Sequence, residues 1–389
     1  MIPLITLESP FFPPNTTASC NLSIFSRCSI LNSISSTSTP SVEIISAVLL
    51  CREKAPFSNV FPYQLLSLAS EDSTISIPIL TVEVFVKIHS NRKVGLKRRN
   101  EMRTICYKTV NGINLLGDFY SASNTNSPVI VYIHGGGFIF GSRKEILQEQ
   151  VKQYNQAGFH VFSIDYRLAP ETKLPAIIED VRDALRWVCD QAPSMLDIEP
   201  SAIAVIGSSA GGYLALLAGS KESYVKAVVS FYGYGDIRGG WASEPSPFYL
   251  QKTIVPKKLA DQLITKEILT ESSIQQRFGL YLYYRQQGSW IRETTGLGPI
   301  QNKEELRLLC PIECVDHSSP PIMLLHGETD HDVPCEESIC MAERLKRAGI
   351  EHTLLTLPGE DHLFDRQLDK ENVQQAFAQV LDFLHRHLT

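Results

Sequence analysis

"VIGSSAGGYLALL", residues 205–217, decides the fold. An apolar, strand-like run stops at Gly207. Two serines follow, and an apolar run at helical spacing begins beyond Gly211 and Gly212. A serine set between glycines where a strand turns into a helix reads as a nucleophile elbow, a turn sharp enough to lift the serine oxygen clear of a sheet. Such a turn strains the backbone at the serine. Glycines at 207 and 211 leave out the side chains that would collide where helix meets strand. The helix also aims its first N–H groups, and the positive end of its dipole, at the same spot. This register makes Ser209 the nucleophile and turns Ser208 away. The competing reading is a glycine-rich turn with no chemistry.

Outward from the elbow, strand and helix patterns alternate. "PVIVYIH" (128–134), "HVFSIDY" (160–166), "SAIAVIG" (201–207), "VKAVVSFYG" (225–233), "PPIMLLHG" (320–327) and "EHTLLTL" (351–357) are strand-like, several as continuous β-branched runs of the kind buried on both faces. "AIIEDVRDALRWVCD" puts Ile178, Val181, Leu185 and Val188 on one helical face. "EESICMAERLKRAG" ends at a C-cap glycine, Gly349. "ENVQQAFAQVLDFLHRHL" closes the chain with Val373, Phe377, Leu381 and Leu384 inward. Near the start, "ICYKTV" and "INLLGDFY" alternate like antiparallel strands. The alternation predicts an α/β fold with a mostly parallel, doubly wound sheet. Residues 236–318 interrupt it with helical, aromatic-rich segments, "LADQLITKEIL" and "IQQRFGLYLYYRQQGSW", and read as a lid inserted between two core strands.

A serine hydroxyl needs a base, and the base needs an orienting acid. On a sheet of this kind the chain order is Ser, then Asp or Glu, then His. "LLHGETDHDVP" supplies Asp330 just after a strand, and "LPGEDHLF" supplies His362 just after the last one. Asp332 is a rival for the acid. His326 and His331 lie near the same strand end and read as local loop histidines, and His385 and His387 as a solvated helix face. In "VYIHGGGFIFGS", Gly136 and Gly137 follow a strand and offer N–H groups that can approach a developing oxyanion, with the Ala210 N–H as partner. Phe138 and Phe140 would narrow the acyl side. The insertion aromatics Phe278, Tyr281, Tyr283, Tyr284 and Trp290 either line the pocket or pack the lid onto the core.

These motifs, "HGGGF" (134–138), "DYRLAPE" (165–171), "GSSAGG" (207–212), "HGETDHDVP" (326–334) and "DHLF" (361–364), together resemble α/β-hydrolase-fold carboxylesterases, in the branch that holds the hormone-sensitive-lipase-like and feruloyl-esterase-like enzymes. The resemblance covers roughly residues 103–389. It implies the α/β-hydrolase fold, a catalytic Ser209–His362–Asp330 triad, and an oxyanion hole at Gly136, Gly137 and Ala210. Placing the acid at the first aspartate of the "HGETDHDVP" motif favours Asp330 over Asp332. One departure is Ser208, where many hormone-sensitive-lipase-like esterases carry Asp. "DYRLAPE" is expected to be structural.

Composition bounds the rest. The chain has 389 residues, 43% hydrophobic and 20% charged, with net charge −6, which gives no basic surface for nucleic acid. Nine cysteines, an odd number, do not suggest a disulfide framework, and they place the protein in a reducing, cytoplasmic setting. The spacing of Cys310, Cys314, Cys335 and Cys340 does not suit a zinc tetrad, so neither metal nor cofactor is expected. No apolar run is long enough for a membrane span. The first twenty residues lack a basic lead and are broken by Pro3 and Glu8, unlike a secretory signal. Residues 1–100, Ser/Thr-rich and aperiodic, read as a disordered extension or as outside the fold proper. The expected function is a serine hydrolase cleaving carboxylic esters of small or medium-sized soluble substrates through an acyl-enzyme. The alternatives are an amidase or peptidase using the same triad, and a non-catalytic ligand-binding member of the fold.

Overall fold

A computed structural model describes residues 102–389 apart from Thr125, Asp197 and Lys221, so the reading of residues 1–100 lies outside the described residues. Eight strands form one sheet: β1 (Met102–Val110), β2 (Ile113–Tyr120), β3 (Ser127–Ile133), β4 (His160–Ile164), β5 (Ile198–Ser208), β6 (Val225–Phe231), β7 (Ile322–Gly327) and β8 (His352–Leu357). Their spatial order is β1-β2-β4-β3-β5-β6-β7-β8. β1 and β2 form a hairpin through Asn111 and Gly112, both at positive φ, as a tight two-residue turn requires. β2 runs antiparallel to β4, and every later pairing is parallel. This is the mostly parallel, doubly wound sheet that the alternation predicts, and it agrees with the α/β-hydrolase fold that the resemblance implies.

Parallel strands need crossovers that bury both faces. On one face, α1 (Gln148–Gln156) and the C-terminal helix α7 (Glu371–Leu388) pack Val151, Tyr154, Val373, Phe377 and Leu384 against Ile130, Ile206 and Val229. On the other, α2 (Leu174–Asp190), α3 (Ala210–Gly219) and α6 (Glu336–Ala348) pack against Val131, Val205 and Leu324. Ile178, Val181, Leu185 and Val188 are all buried, as their spacing requires. In α7, Leu381 is only half-buried. Val380 and Phe383 take the deep positions, because the helix presents a wider stripe to the sheet than one residue per turn. Gly349 ends α6 in the left-handed conformation.

Between β6 and β7 lies the insertion. Its main helix is α4 (Ile274–Gln287), capped by Ser273 and closed by Gly288 at φ 62°, followed by α5 (Trp290–Thr295). The segment "LADQLITKEIL" is helical only up to Gln262, in a helix Lys257–Gln262. Beyond that point the chain is held by side chains from elsewhere, as where the Thr265 N–H donates to Glu171. Among the described residues no helix is long and apolar enough to cross a membrane.

Candidate active site

Between β5 and α3 the chain reverses at Ser209, with φ 54° and ψ −120°. Such a backbone costs a non-glycine residue about 1–3 kcal/mol and persists only when its surroundings impose it. Here the surroundings are backbone. A Cβ on Gly207 would lie well inside 3.0 Å of the Gly211 main chain, and one on Gly211 equally close to the Ile133 carbonyl. The Ser209 N–H donates to the Phe231 carbonyl at 2.8 Å, and its own carbonyl accepts from Tyr213 N–H at 3.0 Å. The Ser208 hydroxyl is hydrogen-bonded instead to Tyr132 OH, at 3.3 Å.

Ser209, Gly136, Gly137 and His362 open onto one pocket of about 210 Å³. Gly136 and Gly137 stand at φ 99° and 59°, a left-handed pair that side chains resist. Their loop is fastened by "DYR" and by the insertion. The His134 ring stacks on Tyr166 with centroids 4.2 Å apart, and Tyr166 OH donates to the His134 carbonyl at 3.0 Å. Burial lowers the His134 pKa to about 4, so it stays neutral and its Nδ1–H donates to the Gly135 carbonyl at 2.8 Å. Trp290 Nε1–H donates to the Gly137 carbonyl at 3.0 Å. Ala210 is the first residue of α3, so its N–H is one of the amides without an acceptor inside the helix.

His362 Nδ1 lies 2.6 Å from Asp330 Oδ2. The Asp330 side chain is fully buried, and its other oxygen accepts from the N–H groups of Asp332 (2.8 Å) and Val333 (2.9 Å). Burial pushes this carboxyl's pKa up, but hydrogen bonds from His326 and His362 outweigh it and hold the group well below the usual carboxylate range. His362 balances the same way. Burial lowers its pKa, the Asp330 hydrogen bond raises it more, and the net shift is upward. Asp332 faces the other end of the imidazole, its Oδ2 3.8 Å from Nε2. Its Oδ1 accepts from Tyr281 OH at 2.7 Å and lies 3.2 Å from Arg285 Nη1. Arg285 is itself buried among Trp241, Tyr249, Tyr281 and Trp290, each ring centroid within 6 Å. Asp332 is thus tied to the insertion, whereas Asp330 is tied to the imidazole.

Phe140, Phe278 and Tyr281 line the pocket. Phe138 does not narrow the acyl side: it is fully buried, stacked on Trp290 and edge-on to Tyr213. Tyr284 and Trp290 pack into the core, and Tyr283 is partly buried against it. His331 pairs with Asp361 at 3.0 Å, and both line the pocket. His385 is exposed on α7, and His387 lies partly buried beside Phe383. Arg285 and Trp290 belong to no motif, and Tyr166 lies in "DYRLAPE", which gave no hint of its partner. Only the positions of "DYR" and of the insertion aromatics hinted at them.

The BD-FAE family model matches residues 118–345, more than half of the chain. The chain belongs to the BD-FAE family. A shorter match, residues 307–388, is to the dienelactone hydrolase family. As a BD-FAE member the chain is an esterase-like α/β hydrolase. The chain superposes on a Staphylococcus aureus protein of unknown function with a TM-score of 0.61 and 25% identity, covering 74% of this chain and 100% of that one. A Pyrobaculum calidifontis esterase superposes with a TM-score of 0.56 and 24% identity, covering 76% of this chain and 88% of that one. A non-reducing polyketide synthase from Emericella nidulans is 28% identical over 342 residues, 74% of this chain. The chain spans only 14% of that relative's length, and the same share of a synthase from Aspergillus calidoustus.

Proposed function

We propose that this BD-FAE family member is a serine hydrolase cleaving carboxylic esters of small or medium-sized soluble substrates. Ser209 Oγ attacks the acyl carbon while His362 Nε2 takes its proton. Asp330 fixes the imidazole with its Nδ1–H toward the carboxylate and stabilises the imidazolium that forms. The carbonyl oxygen becomes an oxyanion facing the N–H groups of Gly136, Gly137 and Ala210. His362 returns the proton to the leaving alkoxide, leaving an acyl-enzyme. A water deprotonated by His362 then attacks the acyl carbon, the acyl–Oγ bond breaks as His362 returns that proton to Ser209, and the acid departs. The observation that carries this reading is the 2.6 Å Asp330–His362 contact in the pocket that Ser209 shares. In this account residues 103–389 form the hydrolase and residues 236–318 act as its lid.

Pocket size and lining support the substrate class. A volume of about 210 Å³ is below that of common drug-sized sites, and aromatic walls suit a short acyl or aryl group. Hydrolysis of p-nitrophenyl esters from acetate to palmitate, beside an aminoacyl p-nitroanilide, tests it. The expected maximum lies at short to medium chains, with anilide cleavage slower than any of these esters. A maximum at palmitate, or faster anilide cleavage, would overturn the substrate class.

A further inference from the structure

We infer that His326 is a positioning residue for the Asp330 carboxylate, a second imidazole that shares the acid with His362. The inference rests on the Ser209–His362–Asp330 reading. His326 stands near the end of β7 with its side chain fully buried. Its Nε2 is 3.0 Å from the Val333 carbonyl and 3.3 Å from Asp330 Oδ2. Both neighbours are acceptors, so Nε2 carries a proton. The other nitrogen, Nδ1, is pinned at 2.7 Å by the hydroxyl of Ser338, a buried residue in the first turn of α6.

The consequence follows from counting lone pairs. A carboxylate offers about four acceptor sites. At Asp330, two are taken by backbone N–H groups on Oδ1 and a third, on Oδ2, by His362, while the His326 Nε2–H, bonded to the Val333 carbonyl, lies beside the same Oδ2 at 3.3 Å. The positive end of that N–H therefore stabilises negative charge on the very oxygen that holds His362. Without that donor, Oδ2 keeps more charge for His362, and the imidazolium is held more tightly. The charged groups facing His362 are Asp330 and Asp332 from the loop after β7, Asp361 beside it in the chain, and Asp365 beneath Tyr232, on whose ring the imidazole rests at 4.5 Å. His326→Leu leaves all of these in place.

The test is the pH profile of kcat/KM on p-nitrophenyl acetate for the wild-type chain, His326→Leu and His326→Gln. Gln places an amide N–H about where Nε2–H stood. The Leu variant should move the acid limb up by about half a pH unit, and Gln should restore it. A merely structural loss, loosening Asp330, moves the limb the other way, toward free imidazole. If His326→Leu does not fold, Ser338→Ala gives the same direction with a smaller size. An unmoved or lowered limb in the folded variant overturns the inference. Reaction of the wild-type chain with a fluorophosphonate at Ser209 reports the underlying reading separately. Labelling with an unmoved limb rejects the His326 role alone, and absence of labelling rejects the triad on which it rests.

Discussion

The elbow at Ser209 and the loops proposed for acid–base work, at 326–338 and 360–365, meet in one pocket but are built differently. The elbow is enforced by backbone. Two glycines, a crossing strand and the start of a helix leave Ser209 one conformation; Gly207, Gly211 and Tyr213 lie within a few residues of it, and Ile133, His134 and Phe231 come from neighbouring strand ends. The acid–base side is enforced by side chains from separate segments: His326 from β7, Ser338 from α6, Tyr281 and Arg285 from α4, and Tyr232 beneath the imidazole. A backbone device fails when a single methyl group is added. A side-chain device degrades step by step as donors are removed.

Variants break or sharpen this contrast. The largest effect belongs to Ser209→Ala, which removes only the attacking oxygen. Turnover should fall on the order of a million-fold with the fold intact, as in comparable triads. Ser208→Ala, which loses only the Tyr132 contact, should cost far less. Equal losses in the two folded variants would put the elbow in the wrong register.

Asp330→Asn comes next. An amide there leaves His362 in the wrong tautomer, and the equivalent change in serine proteases costs about ten-thousand-fold in kcat. Gly211→Ala acts on stability. The added methyl meets the Ile133 carbonyl, which cannot move without shifting β3, so unfolding should become easier by about 3 kcal/mol. Denaturant titration reads this, and an unchanged midpoint would contradict a backbone-enforced elbow. The smallest effect on turnover belongs to Asp332→Asn, under about tenfold. It should instead lower the melting temperature, because Arg285 stays buried without its counter-charge. A larger loss of turnover for Asp332→Asn than for Asp330→Asn would move the acid to Asp332.

What could be read from the chain alone follows the same division. Period and β-branching marked every strand of the parallel sheet, and local glycines marked the elbow and the 135–137 loop, because those features are written within ten residues. The separation of Asp330 from Asp332 on residue grounds was not legible. It depends on Tyr281 and Arg285, some fifty residues earlier in the sequence, reaching Asp332. The place of Phe138 is hidden from a local reading for the same reason. Its neighbours Tyr213 and Trp290 come from other elements and take it out of the pocket. His326 read as a local loop histidine, and only the fold brings Ser338 and Asp330 to its two nitrogens.

The central claim is that Ser209 is an activated nucleophile. Reaction of the folded chain with a fluorophosphonate, followed by peptide mapping, tests it most directly. The account predicts one probe per chain, on Ser209, lost in Ser209→Ala and retained in Ser208→Ala. A folded chain that stays unlabelled, or carries the probe on another serine, would contradict it.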